Sequence, residues 1–256
     1  MKIEDFPPTD ILKPFIKTYR IIESQEELEN RVLPNTSLAI AFRFKGVNAY
    51  NTGTEKIHLP GITFSGLRKS VRLINYSKNT STLIVLFKEY GASAFFREPL
   101  HELFEKSISL DCIIHPNELA FVEELLTEAE NNSQRVAIVE QFLLRKINHF
   151  KPDSLVLAAV SKIKSAKGLL RIKELTDELY ISNDAFEKRF RKAVGSTPKQ
   201  FASIVRMSYL IQHKTSERLL DIVFDAGYYD QSHFSKDFKI FTGLTPTEFY
   251  KSAAFW

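Results

Sequence analysis

From residue 37 to 44, Leu38, Ile40, Phe42 and Phe44 alternate with Ala39, Ala41 and Arg43, and the pair Lys45-Gly46 closes the run. A two-residue period predicts a half-buried strand ending in a turn, because successive strand side chains point to opposite faces. Segments 55–59, 71–76 and 82–88 are short, rich in β-branched or aromatic residues and separated by Gly, Asn, Ser and Pro, so they predict further strands. The first hundred residues thus read as an antiparallel sheet, sandwich or small barrel. Past Pro116 the period becomes helical. Asn117 is placed to cap a segment with Leu119, Val122, Leu125 and Leu126 on one side, and Ser133 to cap a second with Val136, Val139, Leu143 and Ile147. This helix pair either packs its stripe on the sheet or shares it with a second subunit. A polar break at Phe150-Lys151-Pro152-Asp153 predicts a boundary between a β-rich domain, 1–150, and a helical one, 151–256. Helices are expected at 154–166, 172–180, 183–194, 198–213, 217–226, 231–242 and 246–252. The fold class is α+β.

The helical half repeats itself at an offset of 48 residues. Tyr180, Phe186, Lys188, Phe190, Gly195, Thr197, Pro198 and Phe201 recur as Tyr228, Phe234, Lys236, Phe238, Gly243, Thr245, Pro246 and Phe249, with the register slipping by about one residue upstream of Tyr228. Each copy reads as a short helix, 172–179 or 219–226, a tight turn, a polar cap (Ser182; Asp230) and a second helix whose Phe pair faces inward. Gly195 and Gly243 stand where a helix end wants a left-handed residue. Thr197-Pro198-Lys199-Gln200 and Thr245-Pro246-Thr247-Glu248 each supply a capping threonine, a proline at the first helical position and a Gln or Glu three residues after the cap. Two short helices joined by a tight turn form a helix-turn-helix, whose second helix can enter a DNA major groove. Burying the Phe pairs leaves Asn183, Asp184, Glu187, Lys188 and Arg191 outward in the first copy. In the second it leaves Gln231, Ser232, His233, Ser235, Lys236 and Lys239. Amide side chains pair with adenine, basic ones reach guanine or phosphate, and acidic ones accept from cytosine, although a solvated helix face carries the same residue types.

Residues 154–252 resemble the C-terminal DNA-binding domain of AraC/XylS-type bacterial transcription regulators. The second copy carries most of the likeness, in Ala226-Gly227-Tyr228-Tyr229-Asp230-Gln231-Ser232-His233-Phe234-Ser235-Lys236-Asp237-Phe238-Lys239 and then Gly243-Leu244-Thr245-Pro246-Thr247-Glu248-Phe249. The resemblance implies two helix-turn-helix units joined by a long helix near 198–213, reading successive major-groove segments of double-stranded DNA. It also implies a β-rich regulatory or dimerisation domain before them, a homodimer, a small-molecule effector, and contact with RNA polymerase if the protein is an activator. Thr176 and Val223 stand where the family usually places a small alanine, which should shift helix packing slightly and make the angles of the second helices less regular. The N-terminal half shows no match to the family's sugar-binding arm. Around Leu33-Pro34-Asn35 and Leu59-Pro60-Gly61 it is similar to poorly characterised N-terminal domains of some regulators of the family.

Charge sharpens this division. The 256-residue, 29.5 kDa chain has a net charge of +4. From Lys151 onward 17 basic residues face 12 acidic ones, against 18 and 19 before it, so the excess sits where a polyanion is expected to bind. No apolar run approaches a membrane span and residues 1–8 lack a secretory pattern, so a cytoplasmic location is expected. Cys112, the single cysteine, is expected to be buried, and one cysteine argues against alkylation-repair chemistry. His58, His101, His115, His149, His213 and His233 have no metal-ligand spacing, no glycine-rich phosphate loop occurs, and Gly91-Ala92-Ser93-Ala94 lacks the second glycine of a nucleophile elbow. Neither catalysis nor a cofactor is expected, and no catalytic or metal-binding residue is assigned. A triad assembled from distant residues, hence a β-barrel enzyme fused to a helical domain, stays open, as does a module whose helices dock protein instead of DNA. An effector pocket in the sheet domain would draw on Phe42, Arg43, Tyr50, Arg68, Arg72 or Tyr76, aromatic and basic residues that strands equally use for core and surface.

Overall fold

The computed structural model describes residues 1–51, 55–147, 152–212, 227–228 and 230–251. Its first half holds β1 (Lys2–Phe6), β2 (Ile16–Ser24), β3 (Leu28–Val32), β4 (Ala39–Lys45), β5 (Asn48–Asn51), β6 (Lys56–His58), β7 (Ile62–Ser65), β8 (Arg72–Tyr76), β9 (Thr80–Phe87) and β10 (Ser107–Ser109). They form two sheets, ordered β1-β2-β9-β4-β7-β10 and β3-β8-β5-β6, with every neighbouring pair antiparallel. The expected strands at 37–44, 55–59, 71–76 and 82–88 correspond to β4, β6, β8 and β9. The others escaped the alternation rule for physical reasons. β7 is buried on both faces, and β2 carries a register shift between Ile16 and Thr18, so neither shows clean polar and apolar alternation.

The larger sheet has two different faces. One presents bulky apolar groups, among them Tyr19, Ile40, Phe42, Phe64, Leu83 and Phe87, all fully buried. Helices α1 (Pro116–Glu128) and α2 (Asn132–Lys146) belong to this side, with Phe42 meeting Phe142 edge to face at 6.0 Å. The other face mixes small, polar and branched apolar groups such as Ala39, Ala41, Thr82 and Ile84, and looks across a cavity to the smaller sheet.

Of the two readings open for the α2 stripe, packing within the chain is the one observed: Val136, Val139 and Leu143 are buried in the intramolecular core and are not offered to a second subunit. Two expectations are corrected. The caps lie slightly upstream: His115 caps α1, its ring accepting from the Asn117 N–H, and Asn131 caps α2, accepting from the Gln134 N–H. Pro116 is the reason for the first shift, since it occupies the opening helical position, where its missing N–H costs nothing. Cys112 is exposed, because the short turn Leu110–Cys112 buries Leu110 and turns the cysteine outward.

The second half is helical throughout its described residues. It contains α3 (Ser154–Ser165), α4 (Ile172–Glu178), α5 (Asn183–Val194), α6 (Pro198–Gln212), α7 (Gln231–Thr242) and α8 (Pro246–Lys251). The expected helix at 217–226, including Val223, lies outside the described residues, as do His149 and His213. The expected boundary at 150–153 falls partly on residues 148–151, also outside them. Asp153, the last residue of that break, caps α3 by accepting from the N–H groups of Leu155 and Val156.

Candidate nucleic-acid interface

Helix α4 is seven residues long, too short to persist alone, and it is held by Leu175, which is fully buried. The chain then reverses within residues 179–182. The reversal places Tyr180 at φ +52, in the left-handed region, where a side chain is normally disfavoured, and leaves it 97% exposed. Ser182 caps α5 by accepting from the Ala185 N–H. Phe186 and Phe190 are fully buried with their rings 5.5 Å apart, and Phe201 of α6 meets Phe190 at 5.6 Å. Gly195, at φ +89, closes α5 with its N–H on the Arg191 carbonyl. Thr197 and Gln200 then exchange reciprocal hydrogen bonds of 2.9 and 3.1 Å that start α6.

The second unit repeats this device. Gly227 has φ +69, Asp230 caps α7 by accepting from the His233 N–H at 2.7 Å, and Phe234 and Phe238 are fully buried 5.5 Å apart. Gly243, at φ +79, closes α7, and Thr245 with Glu248 repeats the reciprocal cap of α8. The structure also locates the register slip. Tyr180 and Gly227 share the left-handed position, 47 residues apart, whereas the caps Ser182 and Asp230 are 48 apart. The sequence identity of Tyr180 with Tyr228 is therefore not a structural equivalence: Tyr180 is exposed, whereas Tyr228 is buried against Phe234 at 5.3 Å.

The outward residues divide by engagement. On α5, Asp184, Glu187 and Lys188 are exposed and Arg191 is half-buried, pairing with Glu187 at 3.7 Å. Asn183 is exposed, but its side-chain oxygen accepts from the buried Thr176 hydroxyl at 2.7 Å. Thr176 thus does more than fill the place of a smaller residue, since it tethers the first turn of α5. On α7, Gln231, Ser232, His233, Lys236 and Lys239 are exposed and Ser235 is half-buried. His233 lies 3.6 Å from Asp237 and edge-on to Tyr228. Burial pushes the Tyr228 hydroxyl up to about 12, with the Arg206 guanidinium, stacked 4.5 Å from the ring, pulling the other way. Burial would likewise raise Asp153, but hydrogen bonds from Arg189 at 2.7 and 3.0 Å and from backbone N–H groups hold it below the usual carboxylate range. This engages Arg189, a basic residue of α5, at the start of the domain.

Contacts with the β-rich half were not legible in the sequence. At the end of α7, Arg31 donates to the Thr242 carbonyl and the Val71 N–H to the Ile240 carbonyl, each at 3.2 Å. At the end of α5, Gly195 lies beside the Leu100 carbonyl, so closely that an added Cβ would sit 3.2 Å from it. Lys164 of α3 pairs with Glu89. Both outward-facing helices thus have their C-terminal ends against the sheet domain. Among the described residues no helix is long and apolar enough to cross a membrane, and no group of three or more His, Cys, Asp or Glu side chains is placed to hold a metal ion.

Residues 175–252 match the family model described as a helix-turn-helix domain, and residues 4–109 match a domain of unknown function, DUF6597. The C-terminal domain is of the AraC/XylS type. Relatives of this AraC-type domain are regulators by name. The Msm operon regulatory protein of Streptococcus mutans is 28% identical over 141 residues, covering 52% of this chain and 50% of the relative. The transcriptional activator RhaR of Escherichia coli K12 is 33% identical over 101 residues, covering 38% and 34%. The chain thus spans half or less of the length of these curated relatives. Among solved structures, ToxT from Vibrio cholerae is similar at 14% identity with a TM-score of 0.47, covering 99% of this chain and all of that one.

Proposed function

We propose that the chain is a sequence-specific, non-catalytic regulator of transcription that binds double-stranded DNA through α5 and α7. The observation that carries this reading is the paired construction of the two helices. Each is capped at its start, closed by a left-handed glycine, anchored by two buried phenylalanines, and left polar on its outward side. Such anchoring fixes a helix rigidly enough for its outward side chains to hold register with base edges. In this reading Gln231, His233 and Lys236 read bases, Lys188, Arg191 and Lys239 serve bases or phosphates, and the acidic Asp184 and Glu187 make the first unit the weaker contributor. The division near residue 150, a cytoplasmic location, activation through RNA polymerase, and sensing by the β-rich domain belong to the same reading. They are supported by the regulator names of the relatives and by the contacts that tie both helices to the sheets. A homodimer, if formed, uses a surface other than the buried α2 stripe.

Selection of bound duplexes from a random pool by the full chain, followed by footprinting, tests the proposal. The expected result is an enriched site with two protected major-groove segments about one helical turn, roughly 34 Å, apart. Recovery of unenriched sequence would contradict it and favour helices that dock protein.

A further inference from the structure

Between the two sheets lies a cavity of about 830 Å³, within the range of small-molecule sites. Its wall on the larger sheet combines apolar Ile22, Ile84 and Leu86 with polar Thr63, Ser65 and Thr82, and Ile74 faces it from the smaller one. Its far side is closed by the DNA-binding half, through Ile211 of α6, Phe241 of α7 and Tyr250 of α8. Of the six residues the sequence offered for a pocket, Arg68, Arg72 and Tyr76 line it. Tyr50 supports it from behind, beneath the Arg72 guanidinium at 4.5 Å. Phe42 is instead buried on the opposite face of the sheet, and Arg43 is not part of the wall.

Two features of this cavity ask for a ligand of one chemistry. Arg68 and Arg72, both half-buried, converge on a single neutral group, the Ser107 hydroxyl, at 3.4 and 2.6 Å. Neither has a carboxylate within ion-pair distance among the described residues. Glu105, whose charge reaches both guanidiniums, is hydrogen-bonded instead by the Lys69 N–H and the Ser70 hydroxyl. Burial pushes the Arg68 guanidinium down to about 10, the like charge of Arg72 adding to it, and both stay cationic at neutral pH. Two half-buried cations side by side, with the Glu105 charge acting on them only from beyond ion-pair distance, are costly, and a planar oxyanion between them restores the balance. Separately, Asn48 is 6% exposed and lines the cavity, and its side-chain oxygen has no hydrogen-bond partner among the described residues; the Ser208 hydroxyl of α6 is in the same position. Buried polar atoms normally find partners, and a bound molecule with its own polar groups supplies them.

We propose that this cavity binds an organic oxyanion with an apolar body, its charged end held by Arg68 and Arg72 and its body lying along the larger sheet toward α7. Binding itself is independent of the DNA-regulator reading; its regulatory consequence rests on that reading. A molecule touching both Ile84 and Phe241 bears on the seating of α7 against the sheets, so it binds the seated and unseated states with different affinity.

The test is thermal denaturation of the full chain with five probes: octanoate, octyl phosphate, octanol, octylamine and inorganic phosphate. The two amphipathic anions are expected to raise the midpoint, by on the order of 5 °C at a hundredfold excess over Kd, and the other three to leave it unchanged. Whether octanoate or octyl phosphate gives the larger shift decides between carboxylate and phosphate. The Arg68→Met/Arg72→Met variant should lose the shift, and so should Ile84→Trp, which fills the cavity and keeps both arginines should the first variant fail to fold. No shift with either anion, an equal shift with octanol, or a shift retained in Ile84→Trp overturns the proposal. DNA titrations with and without the better anion then read the regulatory consequence, expected as a roughly 5- to 150-fold change in affinity. A chain that takes up the anion but no DNA would defeat the regulator reading and leave the site standing.

Discussion

Gln231 is the first residue of α7, fully outside the Phe234–Phe238 anchor and just past the Asp230 cap, so its removal disturbs no packing. Gln231→Ala should cost about 1–3 kcal/mol on the selected site and little on unrelated DNA, as expected of a bidentate base contact. Lys239→Ala should weaken both alike, and equal losses on both DNAs for Gln231→Ala would remove it from base reading. Tyr180 supports a different expectation. Because a tyrosine occupies a left-handed position that glycine fills at the matching place in the second unit, Tyr180→Gly should raise unfolding stability by about 1 kcal/mol. A destabilised variant would mean that the exposed ring makes contacts worth more than the backbone strain. The caps and left-handed glycines of the two repeat units were legible from sequence because each is a local rule with a local signature, whereas the caps of α1 and α2 were read two residues too late. Tyr180 was misaligned because residue identity, and not backbone conformation, set the repeat. Cys112 was misplaced because composition says nothing of which side of a short turn faces out.

At the scale of elements, the helices α3, α5, α6 and α7 were readable within a residue or so, since each carries its period and its own start and stop signals. The sheet was half readable. Only strands with one face on large apolar groups and the other on small or polar ones show a clean two-residue period, which β4 does and β7 does not. Nor could pattern alone tell which surface the α2 stripe covers. Since it covers the larger sheet, Leu143→Asp should unfold the chain, at a cost of more than about 3 kcal/mol, and should not split a dimer into folded monomers. Circular dichroism melting beside sedimentation separates the two, and a folded, monomeric variant arising from a wild-type dimer would restore the stripe to an interface.

At the scale of the molecule, the β-rich and helical halves are joined by few polar contacts, and one of them titrates. Burial would raise the Glu89 carboxyl, but the Lys164 ammonium and the Thr36 hydroxyl outweigh it and hold Glu89 below the 4.5 of a free glutamate. A lowered carboxylate contributes stability above its unfolded value and loses it as the pH falls through the folded one. Glu89→Gln should therefore reduce stability near neutrality and flatten the loss of stability below about pH 4.5, with the difference from wild type vanishing in acid; a difference constant from pH 7 to pH 3 would assign the effect to packing. The cavity between the two sheets was only partly foreshadowed. Arg68, Arg72 and Tyr76 were candidates by chemistry, but their convergence depends on β7, β8 and β10, two of which the sequence did not show.

The central claim is that the helical half is a DNA-reading head, and the dependence of full-chain binding on salt tests it most directly. On a selected duplex, log Kd plotted against log salt should be linear, with a slope of about 0.9 for each phosphate neutralised and several units in all, and the selected site should keep its preference over random DNA at every salt. Binding that is indifferent to salt, or that falls with salt equally on both DNAs without any preference between them, would contradict it.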